Sequence, residues 1–167
     1  RGNDHMELDA HEQNFVDKIA KHDCMVMNIA SGADEDWSYP FSYTTGLFEK
    51  FQHPEIIVCG WKSKLSTTIL NNMCDDIREG VRRFEPGKRY DEVIADYSVE
   101  FIPIDFESLK EHFGWAIWYY RTVVPLDQPF PALQLVWPSI PEGAFPWDAN
   151  WPEDQAAWQP LLGEREV

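Results

Sequence analysis

Hydrophobic residues recur along the chain with two spacings, and each spacing predicts a different kind of element. Leu8, Phe15 and Ile19 fall on one helical face, so we expect a first amphipathic helix over 7–22. A second helix over 64–80, with Ser63 as its N-cap, is predicted by apolar residues at every fourth position, namely Leu65, Ile69, Met73, Ile77 and Val81.

Short runs rich in β-branched and aromatic residues predict the strands. These runs lie at 24–31, 37–47, 55–61, 88–94, 99–106 and 132–137. Ser108 and Glu111 have the spacing of a capping box, which predicts a third helix from 108 to about 121, and a short helix is expected after Pro152. Strands and helices do not alternate regularly, so the pattern favours the α+β class. We expect a mainly antiparallel sheet of about five or six strands, with three to four helices packed mostly on one face.

The expected domain organisation rests on the composition of the chain, which changes near both ends. Residues 1–5 resemble an expression-vector remnant, which makes Met6 the expected native start. Residues 6–167 are then expected to form a single domain, large enough to bury its own core. From about residue 138 the chain becomes rich in proline and tryptophan.

The charge of the chain narrows the classes of partner. There are 29 acidic and 14 basic residues, which give a net charge of −15. Such a protein repels phosphate backbones and anionic lipid, so nucleic acid and membrane surfaces are disfavoured as partners. A basic protein is the favoured partner class, because opposite potentials accelerate association. Solubility alone is the competing explanation for the charge.

Some signals are absent from the sequence, and their absence predicts where the protein is located and how its cysteines are used. It shows neither a secretory leader nor an apolar stretch long enough to span a membrane, so we expect a cytoplasmic protein. The three cysteines, Cys24, Cys59 and Cys74, have no C-x-x-C spacing, which argues against a disulfide framework and a zinc ribbon. His22 and Cys24 are too few ligands for a metal site, and no metal is assigned.

His53 and Glu55 flank a proline just before a predicted buried strand. A histidine beside a carboxylate is able to perform general acid–base catalysis near neutral pH. The alternative is structural, with Glu55 accepting backbone N–H groups from the Thr44–Gly46 turn and Pro54 fixing the entry to the strand. The structural role is favoured, because catalysis also needs a nucleophile or an electrophile within reach.

Several motifs in one order resemble a family of small bacterial proteins known only as a domain of unknown function. The motifs are Y-T-x-G-L at Tyr43–Leu47, H-P-E at His53–Glu55, L-Q-L-V-W-P at Leu133–Pro138 and F-P-W at Phe145–Trp147. The resemblance covers roughly Met27 to Trp147 and implies no particular activity. Two departures from the pattern are Cys59, where the family has a plain apolar residue, and the turn S-I-P-E-G that follows the last strand.

Two further features, Cys59 and a cluster of basic residues, are candidates for a chemical role. Cys59 precedes a glycine and a helix, which loosely imitates a nucleophile elbow, but Val58 stands where the elbow has its first glycine. A buried, inert thiol is the favoured role. The basic cluster after the second helix either complements the dipole of that helix or binds the phosphate of a flavin nucleotide, and its members are Arg78, Arg82, Arg83, Lys88 and Arg89.

Two functional hypotheses follow. In the first, the protein is an acidic binding module, for example an immunity protein that neutralises a basic toxin enzyme. Its expected partner-binding residues are Glu142, Trp147, Asp148, Trp151, Glu153 and Asp154. In the alternative, it is an enzyme that binds a small molecule or a flavin nucleotide. This enzyme would use the Tyr43–Leu47 turn, His53, Glu55 and the arginines Arg78, Arg82, Arg83 and Arg89.

Overall fold

The structure is a computed structural model that describes residues 7–166, and these fold around one six-stranded sheet. The predicted vector remnant and Met6 lie outside the described residues. Within that range no helix combines the length and the apolar composition needed to cross a membrane. The helices are α1 (Ala10–His22), α2 (Leu47–Phe51), α3 (Ser63–Arg78), α4 (Phe106–His112), α5 (Gly114–Thr122) and α6 (Glu153–Ala156). The strands are β1 (Met25–Ile29), β2 (Phe41–Thr45), β3 (Glu55–Cys59), β4 (Arg89–Ile94), β5 (Tyr97–Pro103) and β6 (Ala132–Val136).

The strands lie in the order β1-β2-β3-β6-β5-β4. Every neighbouring pair is antiparallel except β3 and β6, which run parallel at the centre of the sheet, with Ile57 opposite Gln134. A parallel pair needs a long crossover connection, and here α3, the β4–β5 hairpin, α4 and α5 supply it. The predicted α+β class and the mainly antiparallel sheet are confirmed.

Successive side chains of β3 point to opposite faces of the sheet, and the hydrophobic core accordingly forms two layers. Ile56 and Val58 belong to the layer that contains Leu70 of α3, whereas Ile57 belongs to the layer that contains Phe15 of α1. Helices α1, α4 and α5 therefore share one face of the sheet, and α3 covers the other. The expectation that helices pack mostly on one face holds for those three, and α3 departs from it.

The C-terminal segment, defined here as residues 138–166, packs on both faces of the sheet: Leu162 lies in the layer with Ile57, and Trp151 packs against the layer with Leu70. The Gln134 side chain on β6 donates to Pro160 O at 2.8 Å, and its oxygen accepts from Leu162 N at 2.8 Å. Trp137 and Gln159 exchange two hydrogen bonds in the same way, at 3.0 and 2.9 Å. Residues 159–162 of the segment are thus hydrogen-bonded to β6 and to Trp137, which follows it.

Three predictions about helices are wrong. The third predicted helix is two helices, because the backbone leaves the helical region at Phe113, with φ −98° and ψ 41°. The N-cap of α4 is Asp105, whose carboxylate accepts from Ser108 N at 2.8 Å, so Ser108 lies inside the helix. The N-cap of α3 is Lys62 instead of Ser63, and no side chain caps this helix.

Candidate functional site

The Glu55 carboxylate lies at the start of β3 and is completely buried. It accepts hydrogen bonds from three successive backbone N–H groups, those of Gly46, Leu47 and Phe48, at 3.0, 3.3 and 3.2 Å. The Thr44 hydroxyl donates to the same carboxylate at 2.7 Å. The sequence predicts that Glu55 accepts N–H groups from the Thr44–Gly46 turn, and the structure confirms this for Gly46, while the other two N–H groups follow the turn.

Local geometry explains why the turn needs this acceptor. Gly46 has φ +119°, and a Cβ on it would lie 2.3 Å from Asp23 O, so no larger residue fits. Helix α2 begins directly after it at Leu47, and no side chain of the turn itself caps the helix. The first N–H groups of a helix have no partner within the helix, and a negative charge there is favourable. Glu55 supplies both the acceptors and the charge.

The Tyr120 hydroxyl of α5 completes the environment of Glu55 by donating to its second oxygen. Burial raises the pKa of the Glu55 carboxyl, while the hydrogen bonds from Tyr120 and Thr44 act in the opposite direction. Burial and the neighbouring carboxylate also raise the pKa of Tyr120, so its hydroxyl stays protonated as a donor. The Tyr120 oxygen accepts Glu49 N at 3.1 Å, which closes the network.

His53 is also completely buried, and both of its ring nitrogens have partners. Nδ1 lies 2.8 Å from Pro54 O, and Nε2 lies 3.0 Å from Phe84 N. A carbonyl only accepts and an N–H only donates, so the ring is the neutral tautomer with its proton on Nδ1. Burial lowers the pKa of His53, which favours the same neutral form.

The arrangement therefore offers little to a substrate. His53 and Glu55 bond to different elements, and the exposed fraction of each is 0%. Cys59, the other candidate reactive group, is equally buried, and burial raises its pKa to about 12. A general acid or base must come within hydrogen-bonding distance of the group that it serves. The geometry favours the structural role for His53 and Glu55 and the inert role for Cys59.

Two of the four arginines considered as phosphate ligands bond mainly to carboxylates. Arg78 at the end of α3 donates to Asp75 at 2.5 Å and to Asp23 at 3.2 Å. Arg89 on β4 donates to the buried Glu100 at 2.7 Å. These contacts hold α3 against the end of α1, and β4 against β5.

The other two arginines bond mainly to backbone carbonyl groups. Arg82 donates to Asp76 at 3.0 Å and to Asp91 O at 2.7 Å. Arg83 donates to Gln52 O at 2.8 Å and to Phe51 O at 3.1 Å, the last carbonyls of α2, where a cation is favourable. The four guanidinium groups thus serve four separate junctions, and they do not share an acceptor as donors to one phosphate would.

The C-terminal segment carries much of the apolar surface that residues 7–166 expose. Six large hydrophobic side chains are exposed in that range, and three of them lie in the segment, namely Ile140 at 66%, Trp158 at 47% and Leu161 at 40%. Four carboxylates expected to bind a partner are exposed in the same segment, and they are Glu142, Asp148, Glu153 and Asp154. One of them, Asp148, also accepts Phe145 N at 2.8 Å and so shapes its own turn.

The two tryptophans expected to anchor a partner are partly buried and pack within the chain. Trp147 stacks on Phe145, with ring centroids 5.2 Å apart, and the Arg165 guanidinium lies 4.3 Å from its centroid. Trp151 packs against Trp137 at 5.9 Å. Both hold the segment on the sheet, so Trp158 is the tryptophan that offers the most surface to a partner.

The structure also brings together a pair that the sequence does not indicate. The Sγ atoms of Cys24 and Cys74 lie 2.7 Å apart, although the residues are 50 positions apart. No short-range spacing marks such a pair. Within residues 7–166, no group of three or more His, Cys, Asp or Glu side chains is placed to hold a metal ion.

Comparison with known proteins supports the resemblance seen in the ordered motifs. No curated protein and no solved structure matches the chain. One family model, described as a domain of unknown function (DUF4262), matches residues 18–152, a stretch that includes the Glu55 network and Trp137. The chain therefore belongs to the DUF4262 family.

Proposed function

We propose that this protein is an acidic protein-binding module that docks on a basic partner through its C-terminal segment. The observation that carries the proposal is the concentration of exposed apolar side chains, Ile140, Trp158 and Leu161, among exposed carboxylates. An aromatic anchor surrounded by charged residues is the usual composition of a protein interface.

The charges of the segment support a basic partner. Glu153 and Asp154 form the first turn of α6, which ends two residues before Trp158. Glu142 lies in the loop that also exposes Ile140. A surface with this sign attracts a positive partner and repels an acidic one, so it contributes to specificity as well as to the rate of association.

The enzyme alternative has less support from the geometry. His53 and Glu55 are buried and hydrogen-bonded within the fold, and the four arginines are bonded at separate junctions. A flavin phosphate needs several donors directed at one position. We therefore retain protein binding as the proposed function.

The finer form of the proposal is an immunity protein that works in the bacterial cytoplasm and neutralises a basic toxin enzyme by direct binding. Protein inhibitors of nucleases commonly bind through acidic surfaces, because the enzymes that they cover are built to attract a polyanion. A net charge of −15 is compatible with that role.

Site-specific photocrosslinking in cells tests the docking surface. A photoreactive phenylalanine derivative is placed at Trp158 and, as a matched control, at Phe106, which is 54% exposed outside the segment. We expect one basic protein to crosslink at 158 and not at 106. The purified partner should then bind Trp158→Ala at least about tenfold more weakly than the wild type, as expected for loss of a central aromatic residue, and bind Phe106→Ala unchanged. Equal binding by both variants would refute this surface as the docking site.

A further inference from the structure

Cys24 and Cys74 form a close thiol pair between two elements that are distant in sequence. Cys24 lies in the turn between α1 and β1, and Cys74 lies in the last turns of α3. Both thiols are free, and their sulfur atoms lie 2.7 Å apart. A disulfide has a sulfur–sulfur separation of about 2.05 Å, so the two sulfur atoms lie close to bonding distance.

An open cleft of about 780 Å³ gives access to this pair. Both cysteines line it, together with residues from α1, β1 and α3. Cys24 is 7% exposed and Cys74 is 2% exposed, so of the two residues Cys24 has the larger exposed fraction. The remaining cysteine, Cys59, has no exposed surface and does not line the cleft.

The charge around the cleft differs in sign from the charge of the whole protein. Three cationic side chains line it, Lys18, Lys21 and Arg78, against two carboxylates, Asp23 and Asp75. The protein as a whole carries −15. A small anionic molecule is therefore the class of ligand that the cleft favours over a cationic one, since local charge dominates at contact distance.

We propose that Cys24 and Cys74 are a reversible redox pair, oxidised by an anionic low-molecular-weight disulfide that enters this cleft. The Cys24 thiol loses its proton, and its sulfur attacks one sulfur of the small disulfide, which breaks that S–S bond and releases one small thiolate. The Cys74 thiol loses its proton in turn, and its sulfur attacks Cys24 in the mixed disulfide and releases the second small thiolate. The two protons go to the released thiolates. The protein dithiol is oxidised to a disulfide, and one small disulfide is reduced to two thiols.

The reaction is slow at neutral pH and accelerates as the pH rises. The hydrogen bond from Cys74 and the burial of the site raise the pKa of Cys24, while the charge of Arg78 acts in the opposite direction. Only the thiolate attacks a disulfide, so a raised pKa reduces the reactive fraction. A pair of this kind responds to sustained oxidation and is restored by small cellular thiols through the reverse exchange.

The test uses the full chain and oxidised glutathione as the anionic disulfide. After incubation at mildly alkaline pH, thiols are counted under denaturing conditions and the intact mass and the peptide map are recorded. We expect the count to fall from three to one, the mass to fall by two hydrogen atoms, and the map to contain a Cys24–Cys74 crosslink. Three remaining thiols, or any crosslink that includes Cys59, would overturn the proposal.

Single substitutions separate the steps. Cys59→Ala, the matched control, should give the same crosslink as the wild type. Cys74→Ala should stop at a stable glutathione adduct on Cys24, because the second thiol is missing. The wild-type peptide map stands by itself if a variant fails to fold. Accumulation of the same adduct in the wild type would show that the two thiols do not resolve each other, and would refute the pair.

The sign of the local charge is tested with a second oxidant. Cystamine, a cationic disulfide, is compared with oxidised glutathione at low salt, each rate being divided by the rate of that oxidant with free cysteine. From the charge of the cleft we expect a higher normalised oxidation rate with oxidised glutathione than with cystamine. The Lys18→Ala/Lys21→Ala variant should show a smaller difference between the two rates. The overall charge of −15 predicts the opposite order. A higher rate for cystamine would therefore refute the anionic class of oxidant.

Discussion

The hydroxyl of Tyr120 donates a hydrogen bond to the carboxylate of Glu55, although the two residues are 65 positions apart in the chain. This bond joins α5 to the start of β3, and the same carboxylate holds the first turn of α2. Three elements thus depend on one buried acidic group. Its removal affects each of them at once.

Glu55→Ala should lower the free energy of unfolding by about 3–5 kcal/mol, because each buried donor left unpaired costs about 1–3 kcal/mol. Urea-induced unfolding measures the change. Tyr120→Phe is the graded control. It removes one donor to Glu55 and the acceptor of Glu49 N, and it leaves the three backbone bonds of Glu55 intact, so it should cost less, about 1–3 kcal/mol. A Glu55→Ala protein of wild-type stability that has lost a biological activity would favour the reactive role over the structural one.

His53 should make stability depend on pH in the mildly acidic range. Its pKa is lowered in the folded protein, so below about pH 6.5 the unfolded chain binds a proton that the folded protein does not. Stability is therefore complete above the unfolded pKa and declines as the pH falls, by at most about 1.4 kcal/mol per pH unit for one histidine. Unfolding measured between about pH 7 and 5 should give a smaller slope for His53→Gln than for the wild type. Equal slopes would contradict the neutral, buried state.

His112 is expected to add to the same slope, and it serves as an independent check. Nδ1 of His112 lies 2.8 Å from Ser108 O, and Nε2 lies 2.8 Å from the Tyr39 hydroxyl. Burial lowers the pKa of His112 as well. The two histidines lie on different elements and share no hydrogen-bond partner, so their contributions to the slope should add.

The arginines should show no response to phosphate ligands. Inorganic phosphate or a flavin mononucleotide is expected to leave the melting temperature unchanged, because Arg78, Arg82, Arg83 and Arg89 are bonded within the fold. A ligand at about 100 times its dissociation constant would add about 2.7 kcal/mol of stability, which thermal unfolding detects easily. A saturable rise in melting temperature would support the flavin alternative.

Association with the partner should slow as salt rises from about 0.05 M to 0.5 M, since the screening length then falls well below about 10 Å. Dissociation should change much less, because the buried centre of an interface controls residence time. Glu142→Gln/Glu153→Gln/Asp154→Asn should imitate high salt in a kinetic binding experiment. Asp148 is left unchanged because it caps its own turn. An unchanged association rate would assign these carboxylates to solubility alone.

The pattern of hydrophobic residues predicted the fold class well because it reports burial directly. Helix α3 is the clearest case, since Met73 and Ile77 of the predicted repeat are buried, while Leu65 and Val81 at its two ends are exposed. The strands were found for the same reason, with errors at their ends of up to four residues, as at Phe41. These signals are local, and local signals are enough to place long elements.

The failures concern contacts between distant residues. Helix α2 has only five residues, and its cap is the side chain of Glu55, which lies beyond its end. The break at Phe113 is followed by Gly114, but a single glycine does not by itself end a helical pattern, and aromatic residues continue on both sides of it. The approach of Cys24 to Cys74 depends on how α3 crosses the sheet, and no sequence spacing encodes that geometry.

Residues 153–166 are attached to β6 but lie outside the part of the chain that the family model matches. The matched region and the folded unit therefore have different limits. The family model ends at residue 152 and begins at residue 18, inside α1. A fragment with those limits would lose Phe15 from the core, and the groups on Gln134 and Trp137 that bond to the C-terminal segment would lose their partners. Leu162 leaves the same core layer as Phe15, so such a fragment should be less stable than residues 7–166 together. In this protein the recognisable stretch of sequence is shorter than the stretch that builds the core.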